Sequence, residues 1–153
     1  MHSVDIAGPA IAATVRNMEL NHTIDAVRAC THTVDVGDAF DVMANLAREH
    51  RRYGLVVIDP PSFAQRQASV DTARRAYTRL THLALRLVEP GGLLVQASCS
   101  SRVPPDMFFE TVEAAAVAAG RPLRLTLRTG HDVDHPVGFA EGEYLKAGFW
   151  TVP

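Results

Sequence analysis

Two short stretches hold residue types that could do covalent chemistry. In GLVVIDPPSFA, residues 54–64, an apolar, mostly β-branched run stops at Asp59, and Pro60 and Pro61 follow. Consecutive prolines have fixed φ and no N–H, so they stiffen the exit from the strand and hold the carboxylate in few orientations. In LLVQASCS, residues 93–100, a second apolar run ends at Cys99, where neighbouring donors could stabilise a thiolate. Each motif has a plain structural alternative, a rigid loop carrying an exposed acid in one case and a small residue near a sheet edge in the other. At the ends of adjacent strands, however, the two would present an acid and a nucleophile to one substrate. Two further acids follow strand-like runs. Asp5, after HSV, suits the two hydroxyls of a ribose but reads equally well as a solvated acid beside a helix start, and Asp38, after TVDVG, stands at a helix start. An N-cap role is sufficient reason for Asp38, and it is compatible with ligand binding.

The elements that must position these residues alternate strand and helix along the chain, which predicts a parallel sheet with helices on both faces. HSVDI is a short strand, and Gly8-Pro9 opens a helix with Ile11, Val15 and Met18 inward. CTHTVDV alternates like a strand, and a helix follows from Ala39 to about Arg52 with Phe40, Met43 and Leu46 on its inner side. GLVVID reads as an interior parallel strand. The longest helix is predicted from Ala68 to Val88, with Val70, Ala73, Tyr77, Leu80, Ala84 and Leu87 on one side and EPGG as its terminating turn. LLVQASCS is the next strand, followed by a helix from Asp106 to Ala119. PLRLTLRTG and EYLKAGFWTV are expected to pair as an antiparallel edge joined by the long loop HDVDHPVGFAEG.

With 153 residues, 47% hydrophobic and 21% charged, the chain is expected to form one domain spanning 1–153. No apolar run approaches the roughly 18 residues that span a bilayer, and no basic-then-apolar leader follows Met1, so the chain reads as cytoplasmic with no membrane association. Cys30 and Cys99 form neither a disulfide framework nor a zinc site. A net charge of −2 argues against gripping nucleic acid by a global field, so any such contact must be local. Arg66, Arg74, Arg75 and Arg79 could meet phosphate, although arginines on the outer face of a long helix are ordinary and that reading is preferred for most of them. His131, Asp132, Asp134 and His135 are metal-ligand types, but a polar loop over the site is the favoured reading and no metal is assigned.

VDIAGPAIAATVRNMELN, DAFDVM, VVIDPPSFA, ARRAYTRLTHLALRLVEPGGLLVQASCS, AAGRP and DVDHPVGFAEGEYLK together resemble the catalytic domain of bacterial 23S ribosomal RNA 5-methylcytosine methyltransferases. DPP alone recurs among many nucleic-acid methyltransferases, whereas DPPSFA with SCS, DHPV and EYLK is far more specific. The resemblance implies a Rossmann-like α/β sheet, mostly parallel with an antiparallel C-terminal strand, that uses S-adenosylmethionine. It implies that Asp5 holds the cofactor ribose, that Asp38 and Ala39 meet the adenine, and that Asp59 and Pro60 border the cofactor. Pro61, Ser62 and Phe63 would contact the substrate base, Asp59 would orient it, and Cys99 would be the nucleophile. The substrate so implied is RNA, in particular ribosomal RNA.

Ser62 stands where another branch of RNA cytosine methyltransferases has a second cysteine, so only the single-thiol mechanism is available. A related guanine-modifying group has asparagines at the positions of Ser98 to Ser100, and Cys99 therefore favours cytosine. The resembled fold begins with a strand and a Gly-rich turn, and neither is found upstream of Asp5. The expectation is an N-terminally incomplete catalytic domain, with an upstream polypeptide as the source of the missing strand. The alternatives are an accessory binding fragment without activity, or methyl transfer to guanine in RNA or to a small molecule.

Overall fold

The computed structural model describes residues 1–64, 67–139 and 142–153, in two compact units, Met1–Arg48 and Glu49–Pro153. In the first unit β1 (His2–Asp5) pairs in parallel with β2 (Thr33–Val36), Asp5 lying opposite Val36. Helix α1 (Gly8–Leu20) carries Pro9 in its first turn, where a missing N–H is harmless. It is followed by a one-turn α2 (Asp25–Arg28) and, after β2, by α3 (Ala39–Arg48). Of the inner stripe expected for α1 only Ile11 is buried, and Val15 remains 36% exposed. The core of this unit is small, since Met43, Leu46 and Ala47 of α3 are its other buried side chains. Helix α3 ends at Arg48, short of the predicted Arg52. His50 takes a positive φ of 58°, a left-handed conformation that a helix cannot continue through.

The second unit is built on a four-stranded sheet of order β3-β4-β6-β5, comprising β3 (Tyr53–Ile58), β4 (Val88–Ser98), β5 (Arg124–Thr129) and β6 (Lys146–Thr151). Strands β3 and β4 are parallel, whereas β6 runs antiparallel to both β4 and β5, as the sequence led one to expect. Alternation puts Val56, Ile58, Leu94, Gln96, Ser98, Lys146, Gly148 and Trp150 on one face, by their cross-strand register. Helices α4 (Val70–Leu85) and α5 (Pro105–Ala118) cover that face. A row of rings in edge or tilted contact, Phe63, Tyr77, Phe108, Phe109 and Trp150, runs through the core at centroid spacings of 5.2 to 5.9 Å.

Three expectations are corrected in this unit. Strand β3 is an edge strand of its sheet among the described residues, because β4 is its one neighbour there; separately, Leu55 and Val57 on its second face stay 54% and 60% exposed. Helix α4 starts at Val70 behind a 3₁₀ turn (Gln67–Ser69) and stops at Leu85, not Val88. The stop is fixed by Arg121, whose guanidinium donates to the carbonyls of Leu85 and Val88. EPGG is not the turn that ends the helix. It lies inside β4 as an irregularity that shifts the register with β3 between Tyr53↔Val88 and Leu55↔Leu93.

Candidate active site

Asp59 and Cys99 lie just beyond the C-terminal ends of β3 and β4, which are parallel neighbours, so the two motifs are brought together at one end of the sheet. The thiol of Cys99 points to the carbonyl of Pro60, 3.9 Å away, which ties it to the DPP exit. Asp59 is exposed at that exit and Pro60 half-buried. The residues on either side of Cys99 are fully buried, and their hydroxyls are engaged: Tyr77 Oη lies 2.7 Å from Ser98 Oγ and 3.1 Å from Ser100 Oγ. Burial pushes the Tyr77 phenol up from its ordinary value of 10.0, so it stays protonated and bridges the two serines.

Ser100 is the hub of the loop. Its Oγ accepts the backbone N–H groups of Phe63 (3.1 Å) and Ala64 (3.3 Å) and lies 3.2 Å from Ser62 Oγ. Its carbonyl accepts from Lys146 Nζ at 2.7 Å, and Lys146 Nζ also donates to the Tyr144 carbonyl at 3.0 Å. Lys146 is 4% exposed, and burial lowers its ammonium from 10.5 to about 8, against which the neighbouring Cys99 works in favour of the charged form. Phe63 packs edge-on against Tyr77 at 5.3 Å, which roots the 62–64 segment in the core.

Sequence reading missed Tyr77, Ser98, Ser100 and Lys146 as members of the site. Signals were present: period 2 puts Lys146 on the same face as Trp150, and a tyrosine on the inward stripe of a helix needs a partner for its hydroxyl. Of the loop groups, His131 accepts the Leu145 N–H at 3.2 Å and stacks on His135 at 4.6 Å, which pins the approach to β6. Among the described residues, no three His, Cys, Asp or Glu side chains are grouped to hold a metal. Arg66, and Ala140 and Glu141 of the long loop, lie outside the described residues.

In the first unit, Asp5 is the last residue of β1 and Asp38 comes two residues after its parallel partner β2. Ala7 N–H donates to Asp5 Oδ1 at 2.7 Å, and Phe40 N–H donates to Asp38 Oδ1 at 2.8 Å, so Asp38 does cap α3. In each carboxylate one oxygen is thus used by the backbone, and the second faces no hydrogen-bond partner among the described residues. That set of acceptors fits the hydroxyls of a ribose and the amino group of an adenine. Ala39 is the first residue of α3.

No protein-family model matches the chain. In sequence it is 40% identical over 147 residues to a ribosomal RNA large subunit methyltransferase of Deinococcus radiodurans, covering 96% of this chain and 35% of the relative. It is 34% identical over 149 residues to the ribosomal RNA large subunit methyltransferase I of Shewanella amazonensis, covering 95% and 36%. The chain therefore spans about a third of the length of the curated relatives it matches. Among solved structures, a Streptococcus mutans protein described as a S-adenosylmethionine-dependent methyltransferase superposes with a TM-score of 0.81 at 24% identity, over 99% of this chain and 38% of the other. A methyltransferase homologue from Pyrococcus horikoshii superposes with a TM-score of 0.61 at 13% identity, over 98% and 52%. The chain has the α/β fold of the S-adenosylmethionine-dependent methyltransferases, and almost all of its sequence is similar to part of the ribosomal RNA large subunit methyltransferases.

Proposed function

We propose that residues 1–153 form part of the catalytic domain of a cytoplasmic S-adenosylmethionine-dependent methyltransferase that modifies carbon 5 of cytosine in ribosomal RNA. The observation that carries this reading is the pairing of Asp59 and Cys99 at the ends of adjacent parallel strands, with Cys99 held between two fixed serines. Similarity to ribosomal RNA methyltransferases supports the substrate class.

Carbon 5 of cytosine is a poor nucleophile. The Cys99 thiolate is assigned to add to carbon 6, breaking the carbon 5–carbon 6 π bond, shifting electrons through carbon 4 onto the ring nitrogen, which is protonated, and making carbon 5 an enamine carbon. Asp59 hydrogen-bonds the ring nitrogen and exocyclic amine and so stabilises the charge that develops there. Pro61, Ser62 and Phe63 shape the entry for a base that has been turned out of, or was never in, a helix. Asp5 is assigned to the cofactor ribose, Asp38 with Ala39 to the adenine, and Asp59 and Pro60 to the side of the cofactor nearest the base. S-adenosylmethionine, when bound, would supply the electrophilic methyl group; loss of the carbon 5 proton to a base then breaks the Cys99–carbon 6 bond, which restores the ring and returns the thiolate.

A polypeptide segment outside residues 1–153 is proposed to complete the site by adding a strand. Supporting this, β3 has one strand neighbour only among the described residues, which leaves its other edge open to pairing.

RNA carrying 5-fluorocytosine tests the reading. The fluorine at carbon 5 cannot leave as a proton does, so a covalent complex should accumulate in the presence of S-adenosylmethionine and disappear in Cys99→Ser. A chain that binds both cofactor and RNA yet forms no adduct overturns it. Calorimetric titration with the cofactor separates this reading from an accessory binding role, which needs no cofactor affinity.

A further inference from the structure

Lys146 is, among the described residues, the one buried basic side chain, and it lies on the core face of a sheet, where lysine is rarely found. Two of its three protons are placed on carbonyl oxygens, those of Ser100 and Tyr144. The β4–β6 register sets Lys146 directly opposite Ser98, the residue before Cys99, while its ammonium holds Ser100, the residue after it. Cys99 is therefore bracketed: Tyr77 and the 62–64 backbone fix the flanking serine hydroxyls, and Lys146 fixes the flanking carbonyl.

We propose that Lys146 is a positioning residue for Cys99, holding the 98–100 turn in place and keeping a positive charge beside the thiol so that its anionic, attacking form is favoured. The inference rests on the reading of Cys99 as the nucleophile and names what prepares it. Geometry places the charge: Lys146 Nζ lies 2.7 Å from the carbonyl of Ser100, the residue after Cys99, and Lys146 sits opposite Ser98, the residue before it, while Cys99 in turn favours the charged form of Lys146. The other titratable groups around the turn are Tyr77 from α4, which burial keeps protonated, Tyr144 and His131 before β6, and Asp59 beyond β3. Lys146, with its value of about 8, carries a positive charge at pH 7 and loses it as pH rises past that value.

Alkylation of Cys99 by iodoacetamide tests this on the 153-residue chain without RNA or cofactor, in a Cys30→Ser background that leaves a single thiol. Lys146→Met keeps the apolar stem and removes the charge. It should slow alkylation at pH 7 about tenfold, the size expected of one close opposite charge. Lys146→Arg should restore most of the rate. The wild-type and Lys146→Met rates should converge above about pH 9, where Lys146 has lost its own proton. A folded Lys146→Met that alkylates at the wild-type rate, or that is slowed equally at every pH, overturns the proposal.

Should Lys146→Met not fold, the reciprocal measurement decides. In Cys99→Ser, the midpoint of Lys146 titration followed by NMR of labelled lysine should fall below that of the wild type, and an unchanged midpoint overturns the proposal. The RNA adduct and the alkylation profile fail independently: no adduct in the wild type counts against cytosine methylation alone, and the profile bears on Lys146 alone.

Discussion

Ser100 shows how much of the site is held by one small side chain. Its oxygen takes two backbone N–H groups and contacts two hydroxyls, while its carbonyl takes an ammonium, so the segment after the prolines and the turn after β4 move as one body. Lys146 carries the measurable pH signature of that arrangement. Its folded-state value of about 8 lies below its ordinary 10.5, so between those pH values the unfolded chain binds more protons than the folded one. Stability contributed through this group is therefore lowest below pH 8 and rises as pH climbs toward 10.5. Urea unfolding at pH 7 and pH 10 should show the wild type gaining on Lys146→Met by up to about 3 kcal/mol, less whatever solvent relaxation recovers. An unchanging difference would mean that the ammonium is effectively solvated. None of this was legible from residue type alone, because a lysine in EYLK reads first as a surface charge. Only the alternation that gives it the face of Trp150 betrays the burial.

At the scale of elements, β3, β4 and their parallel pairing could be read because apolar β-branched runs bounded by Asp-Pro and by serines leave little choice of secondary structure. The antiparallel end of the sheet followed from two alternating strands at the C-terminus. EPGG misled, because Pro-Gly-Gly carries the same local signal for a turn and for an irregularity inside a strand. Only the cross-strand partners tell them apart, and here Gly91 N–H donates to Val152 O at 2.7 Å while Val152 N–H donates to Gly92 O at 2.9 Å. Gly148 is the element-scale test of packing. A Cβ there would come within 2.0 Å of the Trp150 ring, which is fully buried and cannot swing aside. Gly148→Ala should destabilise the chain by about 1–3 kcal/mol, the usual range for overpacking, and lower the thermal midpoint accordingly. A neutral substitution would show that the indole has room elsewhere in the core.

For the molecule as a whole, charge sets the terms on which RNA can be met. The chain carries a net −2, yet Arg74, Arg75 and Arg79 line one exposed side of α4 together with Asp71, Thr78 and His82. If the RNA backbone follows that helix, replacing the three arginines by glutamine should weaken binding across all sequences and reduce the salt slope of affinity by about 2 to 3. An unaltered slope in filter-binding or anisotropy measurements would assign them to solvent. The division into two units was not apparent in the sequence, because the polar run REHRR at residues 48–52 is no longer than an ordinary helix-to-strand connection. The cofactor-assigned acids Asp5 and Asp38 belong to the first unit and the chemistry-assigned Asp59 and Cys99 to the second.

The row of rings from Phe63 to Trp150 also gives the molecule an optical reporter. Trp150 is the single tryptophan in the chain, and Phe63 at the other end of the row belongs to the segment assigned to the base. A ligand that shifts Phe63 therefore disturbs a continuous row of edge-on and tilted rings ending at the one indole, whose Nε1–H donates to Glu113 at 3.3 Å. The emission of the unlabelled protein can thus register occupancy of the site from the opposite end of the core.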